Sequence, residues 1–172
     1  IADGSAWFLN NGAGSERFDG SLLGKGVATA PQRIVRVHLD DWSVEKLEVN
    51  EGSGGIVANP PAVDASRKIV VGYDSANRYL QAWRQEGPSA ALRPLWHKAP
   101  FGCASHMILY PDTGELVVND YRRLGEEVTV LDVETGHEKA RVRIGGIMQG
   151  VVFPSVGWGR DFYWSSMGKV AR

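Results

Sequence analysis

One histidine stands close in sequence to amide and carboxylate side chains that could share its chemistry. His106 is followed by Asn119 and Asp120, and Gln149 lies further along the chain. Oxygen ligands of these types suit calcium or magnesium, whereas imidazole suits zinc. A bound cation would polarise a carbonyl group or activate water. Since no second histidine is placed with it, His106 could instead hydrogen-bond to backbone carbonyl groups. His106 is therefore the candidate catalytic residue, and His106, Asn119 and Asp120 are the candidate metal ligands.

Other polar side chains could hold a ligand without acting on it. Arg122 and Arg123 could grip a carboxylate or a phosphate group. Alternatively, they form a solvated hairpin tip that pairs with the glutamates just after them. Asp74 and Asn11 stand at comparable positions, after other predicted strands. The predicted ligand-binding set is Asn119, Asp120, Gln149, Asp74, Arg122, Arg123 and Asn11.

The elements that position these residues are short strands. Between residues 105 and 148, apolar and polar side chains alternate in runs that are separated by turn residues. The runs predict strands at 107–110, 115–119, 127–133 and 138–144. A polar loop at 120–125 separates the second strand from the third. This stretch therefore predicts one antiparallel sheet of four strands.

Weaker copies of this four-strand unit stand before it, and a truncated copy follows it. The copies cover about 1–52, 53–101, 102–146 and 147–172, with three, four, four, and two and a fraction strands. Repeats of about 40–50 residues with four strands each are typical of a β-propeller. The alternative is a β-sandwich with irregular strands. We predict a single all-β segment, 1–172, forming a partial β-propeller of about three and a half four-stranded antiparallel blades.

Propeller geometry brings the candidate residues to one face. The connection between two blades lies on the same face as the loop between the second and third strands. Ligand sites commonly occur there, at the mouth of the central channel. Alignment of the repeats gives His106, Gln149 and Gly55 equivalent positions between blades. That alignment rests on the prolines taken to end the first strands, Pro60, Pro111 and Pro154.

Residues 105–146 resemble blades of the YVTN, NHL and quinoprotein-like propellers. The resemblance is carried by residues 106–108, by 111–118 and by 130–136, whose last stretch reads VLDVETG. The Trp-Asp dipeptides of WD-repeat propellers are absent. Such families usually have six to eight blades, about twice what this chain supplies. Gluconolactonase-like propellers hold a divalent cation with Glu, Asn and Asp from comparable positions, and lyase-type propellers use His there. The resemblance thus implies a fold, together with a possible calcium, magnesium or zinc site.

Composition excludes several classes of partner. The formal net charge is −1 and the sequence pI is about 6.5, which argues against nucleic acid or an anionic membrane as the main partner. No apolar stretch approaches the ~20 residues of a membrane span, and no signal-peptide pattern is present. Cys103 is the single cysteine, so no disulfide forms within the chain. The composition is that of a soluble globular protein.

Three function classes follow, in order of preference. The first is a scaffold that binds a small ligand or a protein partner at the channel mouth. The second is a metal-dependent, lactonase-like hydrolase or lyase centred on His106. The third is a quinoprotein-like oxidoreductase, which is disfavoured because no basic, tryptophan-rich site is found for a large anionic cofactor. A half ring would expose apolar sheet faces. We therefore expect the rest of a longer chain, or a second copy, to complete the ring.

Overall fold

In the computed structural model, most of the described residues lie in short antiparallel strands. The structure describes residues 1–10, 32–50, 60–74, 78–87, 91–102, 107–122, 125–144, 153–156, 162–166 and 169–171. Within them, fourteen strands form four sheets. No helix in this part of the chain is long and apolar enough to cross a membrane. The prediction of an all-β fold is confirmed.

Each sheet is a meander whose strands follow one another in chain order. Sheet 1 contains β1 (Ser5–Asn10), β2 (Gln32–His38) and β3 (Val44–Asn50). Sheet 2 contains β4 (Ala62–Asp64), β5 (Ile69–Asp74), β6 (Tyr79–Glu86) and β7 (Ala91–Lys98). Sheet 3 contains β8 (Ile108–Tyr110), β9 (Glu115–Arg122), β10 (Gly125–Asp132) and β11 (Glu138–Arg143). Sheet 4 contains β12 (Phe153–Val156), β13 (Phe162–Ser166) and β14 (Lys169–Ala171).

The sheets lie side by side with corresponding strands adjacent. The first strands β4, β8 and β12 are neighbours, and the last strands β3 and β7 are neighbours as well. Sheets 2 and 3 are therefore covered on both faces. Along β9, every side chain from Leu116 to Asp120 is buried, although successive residues point to opposite faces. Such two-sided burial is the pattern of a sheet packed between two other sheets.

Apolar layers fill the spaces between the sheets. Between sheets 2 and 3, Val71, Tyr73 and Leu80 pack with Leu116 and Leu131. Between sheets 1 and 2 the layer is smaller, and it consists of the residues Leu9, Ile34, Val70 and Trp83, with Trp7, Val63 and Leu92 at its margin. Both layers thus join neighbouring sheets, and a third cluster of Ile108, Val117 and Val128 lies on the other face of sheet 3.

The turn after β10 shows why aspartate, threonine and glycine occur in the VLDVETG stretch. The Asp132 carboxylate accepts hydrogen bonds from the backbone amides of Glu134 and Thr135, at 3.0 and 2.9 Å, and from the Thr135 hydroxyl. Gly136 follows with φ +70°, a conformation that favours glycine. Trp96 of sheet 2 lies against this glycine and donates from Nε1 to the Val133 carbonyl, at 2.8 Å. The turn therefore joins two strands and also fixes sheet 3 to sheet 2.

A second tie joins the two sheets at their neighbouring turns. Arg67 donates from Nη1 to the Asp64 carboxylate, at 2.8 Å, and to the Pro111 carbonyl, at 2.6 Å. Asp64 is fully buried. Burial raises its pKa, but hydrogen bonds from Ser66 and Arg67 outweigh this effect and hold the pKa below its ordinary value. The carboxylate is therefore ionised and paired in the folded protein.

Two details of the sequence prediction are wrong. The polar loop expected at 120–125 is largely strand, because β9 continues to Arg122 and β10 begins at Gly125. The three prolines also do not occupy equivalent positions in the repeats. Pro60 precedes β4, Pro111 follows β8, and Pro154 lies inside β12. Proline is tolerated at strand edges and in turns alike, so its recurrence did not align the repeats. The equivalence of Gly55, His106 and Gln149 therefore loses its basis.

Candidate functional site

The candidate site lies where the connection from β7 to β8 meets the ends of β5 and β9. We call this the mouth edge, and we define it by residues 97–102, Asn119, Asp120 and Arg141 together with the adjoining strand ends. The connection is fixed from both sheets. Phe101 donates from its amide to the Arg78 carbonyl, at 2.8 Å, and its carbonyl accepts from the Tyr73 hydroxyl, at 3.0 Å. Its side chain is buried in the layer between sheets 2 and 3. Residues 101 and 102 thus form a rigid border to the site.

Asp120 holds the next residue of this connection. One of its oxygens, Oδ1, accepts from the Gly102 amide at 2.8 Å, and the other, Oδ2, accepts from Arg141 Nη1 at 3.0 Å. The carboxylate is fully buried. A buried carboxylate is stable only with such donors, because an unpaired charge in the interior is costly. Both oxygens of Asp120 thus have protein partners, and one of these partners is the connection itself.

Arg141 gathers three carboxylates around one guanidinium group. Besides Asp120, it contacts Glu127 through Nη1, and it binds both oxygens of Glu138 at 2.9 and 2.6 Å. The hydrogen bonds that Arg141 donates to Glu138 raise its pKa most, burial opposes the rise, and the bonds to Glu127 and Asp120 raise it further. Arginine carries its charge at any ordinary pH, so the cluster works as a fixed ionic clamp. It joins the last three strands of sheet 3, β9 to β11.

Asn119 lies on the other face of β9. Its amide nitrogen donates to Glu126 at 3.2 Å, and both side chains are fully buried. Because neighbouring strand residues point to opposite faces, Asn119 and Asp120 do not converge on one point. The described part of the chain therefore does not bring these two predicted metal ligands together. The set of His106, Asn119 and Asp120 stays a prediction, since His106 lies outside the described residues.

The remaining predicted residues are described only in part. Gln149, Arg123 and Asn11 lie outside the described residues. Asp74 and Arg122 are the last residues of β5 and β9, which puts their backbones at the mouth edge. Among the residues that the structure describes, no group of three His, Cys, Asp or Glu side chains is arranged to hold a metal ion.

A cavity of about 290 Å³ opens beside the fixed connection. It lies between the outermost strands of sheets 2 and 3, and its lining consists of His97, Lys98, Ala99, Pro100, Phe101, Glu138 and Arg141. The His97 ring stacks on Tyr79, with 5.1 Å between the ring centroids. Burial raises the pKa of the Tyr79 hydroxyl above its ordinary value. The volume is at the lower end of the range for small-ligand pockets.

Sequence reasoning missed the residues that organise the mouth edge. Arg141, Tyr73 and Glu127 were not predicted to have a role there. The alternation along β11 hides Arg141, because Val142 is 57% exposed while the arginine turns toward the carboxylates. One usable signal was present, since Asp120 begins the predicted loop and Glu127 begins the strand after it, and the two strands that this loop joins must pair. Two carboxylates directly opposite each other require a nearby cation.

Comparison with known proteins agrees on the fold. No protein-family model and no curated protein sequence matches the chain. Among solved structures, a luciferin-regenerating enzyme matches 97% of this chain with 19% identity and a TM-score of 0.63. TolB from Acinetobacter baumannii matches 98% with 15% identity and a TM-score of 0.52. The β-propeller domain of the Trilobed protease from Pyrococcus furiosus matches 99% with 11% identity and a TM-score of 0.50.

These matches are partial on the other side. The chain covers 52% of the luciferin-regenerating enzyme, 40% of TolB and 54% of the protease propeller. It therefore spans about half the length of such propellers. Identities of 11–19% establish the fold and nothing about activity. Sheets arranged side by side around their first strands, together with these neighbours, show that the chain forms part of a β-propeller.

Proposed function

We propose that the chain is a binding scaffold that takes a small ligand or a protein partner at the mouth edge, as part of a larger or dimeric propeller. The observation that supports this most is the fixed connection at residues 101 and 102. Three hydrogen bonds tie it to sheets 2 and 3: Tyr73 donates to it, and the Arg78 carbonyl and the Asp120 carboxylate accept from it. Binding residues are commonly carried on loops that a rigid scaffold positions. A border of this kind beside a cavity costs a ligand little reorganisation.

Amide-resolved NMR with a panel of small polar fragments tests the proposal. We expect binding fragments to shift the amide signals of Lys98, Phe101 and Gly102, with Lys98→Ala weakening the effect. Arg93, which is on the same strand as Lys98 but does not line the cavity, provides the control substitution Arg93→Ala. Fragments that bind with full affinity to both variants, or that shift only amides far from the mouth edge, would contradict a site here.

A metal-dependent hydrolase or lyase centred on His106 is the alternative, and a quinoprotein-like oxidoreductase is the third class. Metal analysis of the purified protein separates the alternative from a pure scaffold. One equivalent of calcium, magnesium or zinc that His106→Ala removes would favour the enzyme and count against the scaffold. A metal-free protein with an undisturbed His106→Ala variant would count against the enzyme.

A further inference from the structure

The cavity at the mouth edge has two walls, and the wall from sheet 2 presents a cationic side chain. Lys98 lines the cavity from the end of β7. Its direction follows from Trp96, two residues earlier on the same strand, whose indole reaches across to the Val133 carbonyl of sheet 3. Because side chains two positions apart on a strand point to the same face, Lys98 also points into the gap between the sheets.

The wall from sheet 3 is formed by Glu138 and Arg141, which a β-bulge brings to one face of β11. The register shift leaves Lys139 as an extra residue between Glu138 and Ala140. An extra residue interrupts the regular alternation of the two faces. Glu138 and Arg141, although three positions apart, therefore bind each other through both carboxylate oxygens and line the same cavity.

The sheet 3 wall carries more negative than positive charge. Three carboxylates surround the single guanidinium group of Arg141, which leaves a formal excess of two negative charges. They are the carboxylates of Asp120, Glu127 and Glu138. Glu138 is the one that lines the cavity. Although both of its oxygens accept from Arg141, an ionised carboxylate has about four acceptor positions, so it can receive a further donor. This wall therefore favours a cationic group at Glu138.

The ammonium group of Lys98 has no counter-ion on either wall. In the part of the chain that the structure describes, it makes no hydrogen bond and no ion pair. Lys98 and Glu138 thus face one cavity with opposite charges and do not pair with each other. An anion in the cavity would be attracted by Lys98 but repelled by the sheet 3 wall, and a cation would meet the reverse. A ligand with one charge at each end meets an opposite charge on both walls.

The size of the cavity indicates how far apart these two charges are. A sphere of about 290 Å³ is about 8 Å across, and the ends of an extended dipeptide lie about 7 Å apart, at about 3.5 Å per residue. In a free α-amino acid the ammonium and carboxylate groups are attached to one carbon atom, so they do not reach both walls. Size and charge together favour a dipeptide over a single amino acid.

We propose that the ligand of the mouth edge is a small zwitterion of dipeptide size, held with its carboxylate at Lys98 and its ammonium group at Glu138. The inference rests on the proposed function, because it assigns a ligand class to the same site. Hydrogen bonds between ionised groups are the stronger ones, and this arrangement forms one at each end of the ligand.

Titration of four related probes into the unaltered protein tests the inference, with the amide signals of Lys98, Phe101 and Gly102 as the readout. The probes are L-alanyl-L-alanine, its N-acetyl derivative, its C-terminal amide, and the uncharged N-acetyl amide. We expect the free dipeptide to bind at least about tenfold more tightly than either singly charged probe, since each of these lacks one charged hydrogen bond. The uncharged probe should bind most weakly.

Two substitutions show which wall holds which end of the dipeptide. Lys98→Gln should weaken dipeptide binding about tenfold and leave binding of the C-terminal amide unchanged. Glu138→Gln should weaken dipeptide binding by a similar factor and leave binding of the N-acetyl derivative unchanged. Arg93→Gln and Glu134→Gln are the matched controls, because both residues are exposed, form ion pairs elsewhere and do not line the cavity. Neither control should change dipeptide binding.

The outcomes separate this inference from the proposed function. Equal affinities for the four probes, or dipeptide binding that neither Lys98→Gln nor Glu138→Gln weakens, would overturn the inference and leave a binding site at the mouth edge. Absence of binding by all four probes would also overturn it, while the panel of polar fragments decides the proposed function on its own. The amide spectrum of each variant shows directly whether its fold is kept.

Discussion

Removal of the Asp120 carboxylate should loosen the mouth edge by an amount that the structure allows us to work out. In Asp120→Ala, the buried Gly102 amide loses its acceptor, which costs about 1–3 kcal/mol. Arg141 loses one of its three carboxylates but keeps Glu127 and Glu138. The loss of its hydrogen bond to Asp120 should therefore cost about 1.5 kcal/mol, the low end of the range typical of charged hydrogen bonds. We expect the free energy of unfolding to fall by about 2.5–4.5 kcal/mol in total.

Urea unfolding followed by tryptophan fluorescence measures this loss. With a slope of about 2 kcal/mol per molar urea, in the middle of the usual range, the midpoint should fall by about 1–2 M. All variants are compared at one protein concentration, since association would raise the apparent stability. Glu138→Gln is the control, because Glu138 pairs with the same arginine from the surface and should contribute less than about 1 kcal/mol. Equal losses in the two variants would refute the reasoning, because burial of Asp120 would then count for nothing.

Three further substitutions test the ties between sheets 2 and 3. Gly136→Ala should lower the free energy of unfolding by about 2 kcal/mol or more, since an added Cβ would lie 2.7 Å from the Trp96 ring. The control is Gly87→Ala, which is also at positive φ but has open space around it. It should lower the free energy of unfolding by about 1 kcal/mol in the same urea titration. Arg67→Ala should cost about 1–3 kcal/mol, because it leaves the buried Asp64 without its cation. The folded-state pKa of Asp64 lies below its ordinary value of 3.8, so its ionised form stabilises the fold above that pH and this contribution is lost as the pH falls further. The stability difference between the unaltered protein and Asp64→Asn should accordingly shrink below about pH 4; a difference that is constant from pH 7 to pH 3 would contradict the assignment.

The strands and their order could be predicted from the sequence because each sheet is built from local contacts. Alternation and turn residues predicted the strands of sheet 3 to within a few residues. The turn at Asp132 to Gly136 was recognisable because its aspartate, threonine and glycine each satisfy a backbone requirement of one hairpin. Local chemistry of this kind is written in consecutive residues, so a single sequence reveals it.

The mouth edge could be predicted only in outline because its contacts join distant residues. Tyr73 and Phe101 are 28 positions apart, and Asp120 and Arg141 are 21 apart. Nothing in the local pattern tells which carboxylate receives the arginine. Asn119 and Asp120 were grouped as joint ligands because they are adjacent in the sequence, yet adjacency in a strand sends two side chains to opposite faces.

The position of Asp120 affects how any loss of binding in its variants must be interpreted. It holds Gly102, which is four residues before His106, so Asp120→Ala could weaken binding either as a lost ligand or through a displaced connection. Tyr73→Phe separates the two, because it removes the hydrogen bond to the Phe101 carbonyl and touches no candidate ligand. If both variants weaken fragment or metal binding alike, Asp120 is a positioning residue. If Asp120→Ala abolishes binding while Tyr73→Phe leaves it unchanged, the carboxylate itself meets the ligand, and the contacts with Gly102 and Arg141 must then rearrange on binding.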